Sequence, residues 1–220
     1  LTKKFYFFAS LPRSGSTVLS AILCQNPLIH TEGQSALAPL MLSAHNALNC
    51  SMTLAMDRQQ HAINLIKKLP ELHYSHIDKN KIIDKNRAWG APPMNDIANM
   101  YFDNPKFIYL IRNTDDIEKS FNKLFEKNNL SFYESSLYDG FKLSVEALSY
   151  AKKNSNQDQF FFIHYEDFIA NPENTICQIY DFFELKKFNH YYKNIVKTYH
   201  ENDLAYGLSG MHEISSTLLK

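Results

Sequence analysis

The chain of 220 residues predicts an α/β fold, a mostly parallel sheet of four to five strands with helices on both faces. Two observations carry that expectation. Short apolar, aromatic-rich runs at 4–10, 81–85, 106–111 and 160–165 read as buried strands. Each is followed by a turn and a helical pattern, the alternation that builds a parallel sheet covered on both faces.

The elements follow in order. After the first strand, Ser16 to Gln25 is helical, with Val18, Leu19, Ile22 and Leu23 on one stripe, and Asn26-Pro27 stops it. Helical patterns at Ala36 to Leu48 and Thr53 to Leu69 form an insert at about 35–80 between the first two strands. Residues 70–80 read as a polar connector. Pro92-Pro93 restarts a helix through Phe102. Thr114 reads as an N-cap, with Asp115 and Asp116 in the first turn of a helix to about Lys127. Further helices run from Leu137 to Lys153 and from Pro172 to near Glu184. Gly207 and Gly210 mark a loop. No linker interrupts 1–220, which reads as one domain.

Composition sets limits. With 45% hydrophobic and 14% aromatic residues the chain is not disordered. Its net charge of zero supplies no basic field for nucleic acid, so any anion site is local. Cys24, Cys50 and Cys177 show no metal-ligand spacing, and no metal is expected. The odd cysteine count fits a reducing, cytoplasmic setting. No apolar run approaches a membrane span. The chain starts on a strand and not on Met, as a trimmed piece of a longer protein would.

Arginine is scarce and placed with purpose. Only Arg13, Arg58, Arg87 and Arg112 occur among 23 basic residues. Arg13 and Arg112 each stand where a strand ends, and ligands of open parallel sheets bind at the carboxyl ends of strands. Arginine there grips a phosphate or similar oxyanion; the alternative is a pair of salt-bridged surface residues. Pro12-Arg13-Ser14-Gly15-Ser16-Thr17 has the parts of a phosphate cradle: a small-residue turn, hydroxyl donors and a helix N-terminus. The GK[ST] ending of a Walker A loop is missing. An ordinary βα turn would use the same residue types. In the second turn, Arg112 leaves a strand and Ser120 lies about two turns into the next helix, so both can face one ligand; a capped helix with an incidental serine reads the same way.

Together these motifs resemble the PAPS-dependent sulfotransferases. Leu11-Pro12-Arg13-Ser14-Gly15-Ser16-Thr17 is similar to that family's 5′-phosphosulfate loop. Tyr109-Leu110-Ile111-Arg112-Asn113, with Ser120, is similar to its 3′-phosphate motif. Ile163-His164-Tyr165-Glu166-Asp167-Phe168, followed by Asn171-Pro172-Glu173, resembles the strand–loop–helix that comes next. Arg in the first loop resembles the bacterial and tyrosylprotein branches; the cytosolic small-molecule branch usually has Lys there.

The resemblance implies a P-loop-like three-layer sandwich and a sulfuryl transfer from 3′-phosphoadenosine 5′-phosphosulfate to a hydroxyl or amine acceptor, leaving adenosine 3′,5′-bisphosphate. It implies that Ser14, Gly15, Ser16 and Thr17 hold the 5′-phosphate, Arg112 and Ser120 the 3′-phosphate, and that Tyr165 contacts adenine. Arg13 then binds the donor and stabilises charge on the bridging oxygen. Lys85 and Arg87, at another strand exit, either face the sulfonate or the acceptor or are solvated charges. Trp89 forms either a wall of the site or a piece of core. Asn86-Arg87 stands where the cytosolic branch carries a catalytic His, so the general base comes from elsewhere. Glu32, after the first helix, matches the tyrosylprotein branch's glutamate to within a residue or two; His30 and His76 compete with it. The loop at Gly207 and Gly210 can approach the 3′-phosphate. The insert at 35–80 is expected to shape the acceptor side, with Met41, Leu42, Met52, Leu54 and Met56 lining an apolar cleft or packing helix on helix. Sugar, lipid, peptide and small-molecule acceptors all stay open, as does the oligomeric state. Two other functions compete: a kinase using ATP and magnesium, and a non-catalytic nucleotide-binding domain.

Overall fold

Successive residues of the first strand point to opposite faces of the sheet, and Tyr6, Phe7, Phe8 and Ala9 are all buried. A strand apolar on both faces has to sit between two layers of helices. The computed structural model, which describes residues 2–154, 158–214 and 216–218, shows that arrangement. Five strands, β1 (Lys4–Ser10), β2 (Ile29–His30), β3 (Lys81–Lys85), β4 (Phe107–Ile111) and β5 (Phe160–His164), form one parallel sheet in the order β2-β3-β1-β4-β5.

Tyr6 and Phe8 of β1, Ile83, Ile108, Leu110 and Ile163 face a layer made by α1 (Ser16–Leu23), α8 (Tyr165–Ala170) and α9 (Pro172–Phe182). Phe7, Ala9, Ile82, Phe107 and Tyr109 face the other layer. That layer holds α2 (Leu37–Asn46), α4 (Gln59–His73), α5 (Pro92–Tyr101), α6 (Thr114–Lys127) and α7 (Ser136–Asn154), while the short α3 (Ser51–Ala55) buries no residue. The three-layer α/β sandwich is therefore as expected. No helix of the described residues is long and apolar enough to cross a membrane.

The departures are local. β2 is two residues long, too short to leave a periodic pattern. The single helix expected over Thr53 to Leu69 is two, broken at Asp57, whose φ of 52° is left-handed. The connector expected at 70–80 begins later, because α4 continues through Pro70 to His73. Asn113, not Thr114, caps α6, its side chain accepting from the N–H groups of Asp115 and Asp116. Tyr165 starts α8 instead of ending β5. Cys24, Cys50 and Cys177 are all half-buried and free.

Because β3, β1 and β4 are adjacent and parallel, the three turns that leave them open on the same edge of the sheet. That edge is where the charged residues gather.

Candidate active site

The turn after β1 is built around backbone that only certain residues tolerate. Arg13 (φ 55°) and Gly15 (φ 87°) are both left-handed. A Cβ on Gly15 would lie 2.9 Å from Cε2 of Tyr165, so glycine also admits that ring. Gly15 provides no side-chain cap to α1. Among the described residues no acceptor meets the N–H groups of Ser16, Thr17 and Val18. These free donors and the positive end of α1 form an anion-binding helix start.

Basic side chains converge on it. One cleft is lined by Arg13, Gly15, Ser16, Thr17, Lys85, Arg87, Arg112, Ser120 and Tyr165, among others. Arg13 Nε donates to Ser120 Oγ at 3.2 Å. Arg112 donates through one terminal nitrogen to the Arg13 carbonyl at 2.8 Å, and its guanidinium carbon lies 4.3 Å from the centroid of the Tyr165 ring. Arg112 Nε is buried with no hydrogen-bond partner. Arg13 thus contacts both Ser120 and Arg112, and Arg112 and Ser120, expected to face one ligand, line the same cleft. Ser14 stands apart from them: it is fully buried and its hydroxyl donates to the Leu11 carbonyl at 2.6 Å, so its side chain closes the turn from beneath.

Lys85 and Arg87 are held there by the core. Asp84 is fully buried, and its carboxylate accepts from Ser35 Oγ (2.5 Å), Tyr74 Oη (2.6 Å) and Trp89 Nε1 (2.5 Å). Trp89 is therefore core: it is fully buried against Phe7 and lines no part of the cleft. Asn86 donates to the Ser35 carbonyl at 2.7 Å, while the Ser35 N–H donates to the Lys85 carbonyl at 2.8 Å. This lattice leaves Lys85 only 7% exposed. Among the described residues neither Lys85 nor Arg87 makes a hydrogen bond or ion pair through its side chain. Burial brings the Lys85 ammonium down to about 8, with Glu201 opposing the shift and Arg87 and Lys197 adding to it. Burial also disfavours the charge on Arg87 and, together with Arg112, that on Arg13. Buried cations without partners call for an anionic ligand, so these residues fit a phosphosulfate donor.

Glu32 lies beside the cleft, not in it. With Gly33, Gln34, His200, Glu201, Asn202, Ala205 and Tyr206 it lines an adjoining depression, and Gln34 borders both spaces. His30, whose Nε2 is 3.4 Å from Glu32 Oε2, holds that carboxylate below its ordinary range. His76 is exposed and lines neither space. No residue from 35 to 80 lines either one: Met41 is core, and Met52, Leu54 and Met56 are exposed at 76%, 51% and 62%.

The sequence reading brought the Gly207 and Gly210 loop toward the site but named none of the residues that follow it. Met211, His212 and Glu213 line the cleft, and Arg13 donates to the Met211 carbonyl. Asn128 and Ser209 exchange hydrogen bonds that tie the segment to the end of α6. His212 sits between Asp203 (2.6 Å) and Glu201 (3.5 Å). The one signal in the sequence was the glycine pair, Gly207 and Gly210, both with positive φ.

The comparisons with known proteins bear on the family and the fold. The model of the sulfotransferase family matches residues 6–190. Among solved structures, the sulfotransferase domain of the Synechococcus PCC 7002 olefin synthase is 21% identical, with a TM-score of 0.57 over 85% of this chain and 75% of that one. The sulfotransferase domain from the curacin biosynthetic pathway is 20% identical, with a TM-score of 0.59 over 86% and 76%. Mouse sulfotransferase SULT7A1, complexed with PAP, is 15% identical, with a TM-score of 0.51 over 86% and 62%. No curated protein matches the chain. A family match that begins inside β1 and runs past α9 leads to one conclusion: the chain belongs to the sulfotransferase family.

Proposed function

We propose that this protein moves a sulfuryl group from 3′-phosphoadenosine 5′-phosphosulfate to a hydroxyl or amine acceptor. The observation that carries the reading is the convergence of Arg13, Lys85, Arg87 and Arg112 on one cleft, two of them with no side-chain hydrogen bond or ion pair among the described residues. Such a cleft attracts a ligand with several negative charges.

The residues divide the work by position. The free N–H groups at the start of α1, with the Ser16 and Thr17 hydroxyls, hold the 5′-phosphate. Arg112 and Ser120 hold the 3′-phosphate, and Tyr165, already stacked on Arg112, offers its ring to adenine. The donor supplies the sulfuryl group and a bisphosphate leaving group. Arg13 and Lys85 stabilise the charge that grows on the oxygen that leaves.

Glu32 takes the acceptor proton. His30 holds its carboxyl below the ordinary range, the depression it lines shares Gln34 with the cleft, and its side chain is 32% exposed, against 11% for Glu201. Glu201 is occupied by Lys197 at 3.3 Å and His212 at 3.5 Å. The acceptor oxygen or nitrogen bonds to sulfur as the bond from sulfur to the phosphate oxygen breaks. The electron pair leaves on that oxygen.

The test is a melting experiment. Adenosine 3′,5′-bisphosphate without metal should raise Tm more than ADP with magnesium does, because ligand that binds only the folded state stabilises it. A larger effect of ADP with magnesium would favour a kinase. Tight bisphosphate binding without turnover of any acceptor would favour a non-catalytic domain.

A further inference from the structure

Among the described residues, the depression beside the cleft is lined mostly by polar side chains, with Gly33 and Ala205 between them. It measures about 280 Å³. Glu32, Glu201, Gln34, Asn202 and His200 present carboxylates, amides and an imidazole, and Tyr206 adds a ring that is 44% exposed. No Leu, Ile, Val, Phe or Met contributes to it. Its place is fixed by the same bonds that fix Lys85, because the Ser35 to Lys85 and Asn86 to Ser35 hydrogen bonds hold residues 33–35 against the exit of β3. Its other wall depends on a missing side chain: a Cβ on Gly33 would lie 2.2 Å from Oε1 of Glu201.

We propose that this depression is the acceptor subsite and that it takes a saccharide unit, presenting one of its hydroxyls to Glu32. The proposal rests on the sulfuryl-transfer reading above. Three properties of the lining favour a sugar. Carboxylate and amide oxygens accept hydrogen bonds from hydroxyl groups, and the amide nitrogens donate to them, so neighbouring hydroxyls of a ring are satisfied on both counts. An exposed tyrosine ring offers a flat face to the C–H side of a pyranose. The volume lies just under the roughly 300–1,000 Å³ of pockets that enclose drug-sized ligands, which suits one ring with the rest of a glycan in solvent. A fatty alcohol or sterol would instead desolvate Glu32 against hydrocarbon, and among the described lining residues no aliphatic side chain larger than that of Ala205 receives the chain.

The step balances within the named groups. The sugar oxygen bonds to sulfur, its proton passes to the Glu32 carboxylate, and the bond from sulfur to the phosphate oxygen breaks with the electron pair leaving on oxygen.

The experiment has two arms. The first measures the Tm of the intact chain with adenosine 3′,5′-bisphosphate. The second follows transfer from labelled donor to methyl glucoside, methyl glucosaminide, dodecanol and p-nitrophenol. The glycosides should be sulfated with kcat/KM about tenfold or more above the other two, which offer one hydroxyl to the lining and no neighbouring ones. Tyr206→Ala, at a largely exposed position, should raise the glycoside KM about tenfold while kcat stays within about threefold. Preference for dodecanol or p-nitrophenol would overturn the saccharide assignment, as would bisphosphate binding with no transfer to either glycoside, or a Tyr206→Ala enzyme with unchanged KM. In each of those cases a bisphosphate-dependent rise in Tm keeps the donor reading standing. No rise at all would overturn the donor reading, and this proposal with it.

Discussion

Arg112 is stacked on Tyr165, its guanidinium carbon 4.3 Å from the ring centroid, while one of its terminal nitrogens donates to the carbonyl of Arg13. Three neighbouring strand exits, those of β4, β5 and β1, are tied together by this one side chain. Its Nε has no partner, so the guanidinium is oriented before any ligand arrives and still has a donor to give. Preorganised donors bind anions without the entropy cost of ordering them.

Arg112→Ala should therefore weaken adenosine 3′,5′-bisphosphate binding by about 2 kcal/mol or more, the scale of a charge-assisted hydrogen bond. Binding of AMP, which lacks the 3′-phosphate, should change far less. Calorimetric titration with both ligands checks this, and equal losses would refute the assignment of Arg112 to the 3′-phosphate.

Arg13 touches both halves of the site, through Ser120 on one side and Met211 on the other. Arg13→Ala should lower kcat about a hundredfold or more, as loss of one oxyanion donor does. Arg13→Lys should recover part of the rate. If Arg13→Ala raised KM and left kcat intact, Arg13 would supply uniform binding and not transition-state stabilisation.

Glu32→Gln keeps the side chain's size and removes its basicity. It should lower kcat about a hundredfold or more with bisphosphate affinity intact. Glu201→Gln and His30→Ala serve as comparisons. Normal turnover by Glu32→Gln together with loss in either of the others would move the base to Glu201 or His30.

Lys85 makes the site pH-dependent. Its ammonium titrates near 8 in the folded protein because it is buried, against about 10.4 in an unfolded chain. Between these values the unfolded chain binds more protons, so stability of the ligand-free protein rises as pH goes up through that window. Bisphosphate affinity should fall over the same window, because the cation expected to attract the ligand is lost. Lys85→Met should flatten both trends, with melting curves and titrations at about pH 7 and about pH 9.5 as the readout. An unchanged pH dependence of affinity in Lys85→Met would remove Lys85 from the anion site.

Much of this protein is local and therefore legible in its sequence. Four of the five strands and the helices that follow them are written as apolar runs and stripes, because burial on two faces demands hydrophobic residues at those positions. The motif at 11–17 and the pair Arg112 and Ser120 are legible for a similar reason: each is a strand end followed by a helix start, and parallel strands carry their exits to one edge.

Tertiary structure decided the rest, since it depends on residues that meet only after the chain folds. Met211 meets Arg13 across 198 residues of sequence, a contact that no local pattern encodes. Ser14 and Ser16 are near neighbours in one motif, yet packing turns Ser14 inward to the Leu11 carbonyl and leaves Ser16 on the cleft. Trp89 had two open roles until the buried Asp84 carboxylate took its N–H. Lys85 and Arg87 read either as site residues or as solvated charges beside a strand; the fold places both on the cleft, with no side-chain hydrogen bond or ion pair among the described residues. Residue type and spacing place a charge on an element, but whether that charge is buried, and beside what, is set by how the elements pack.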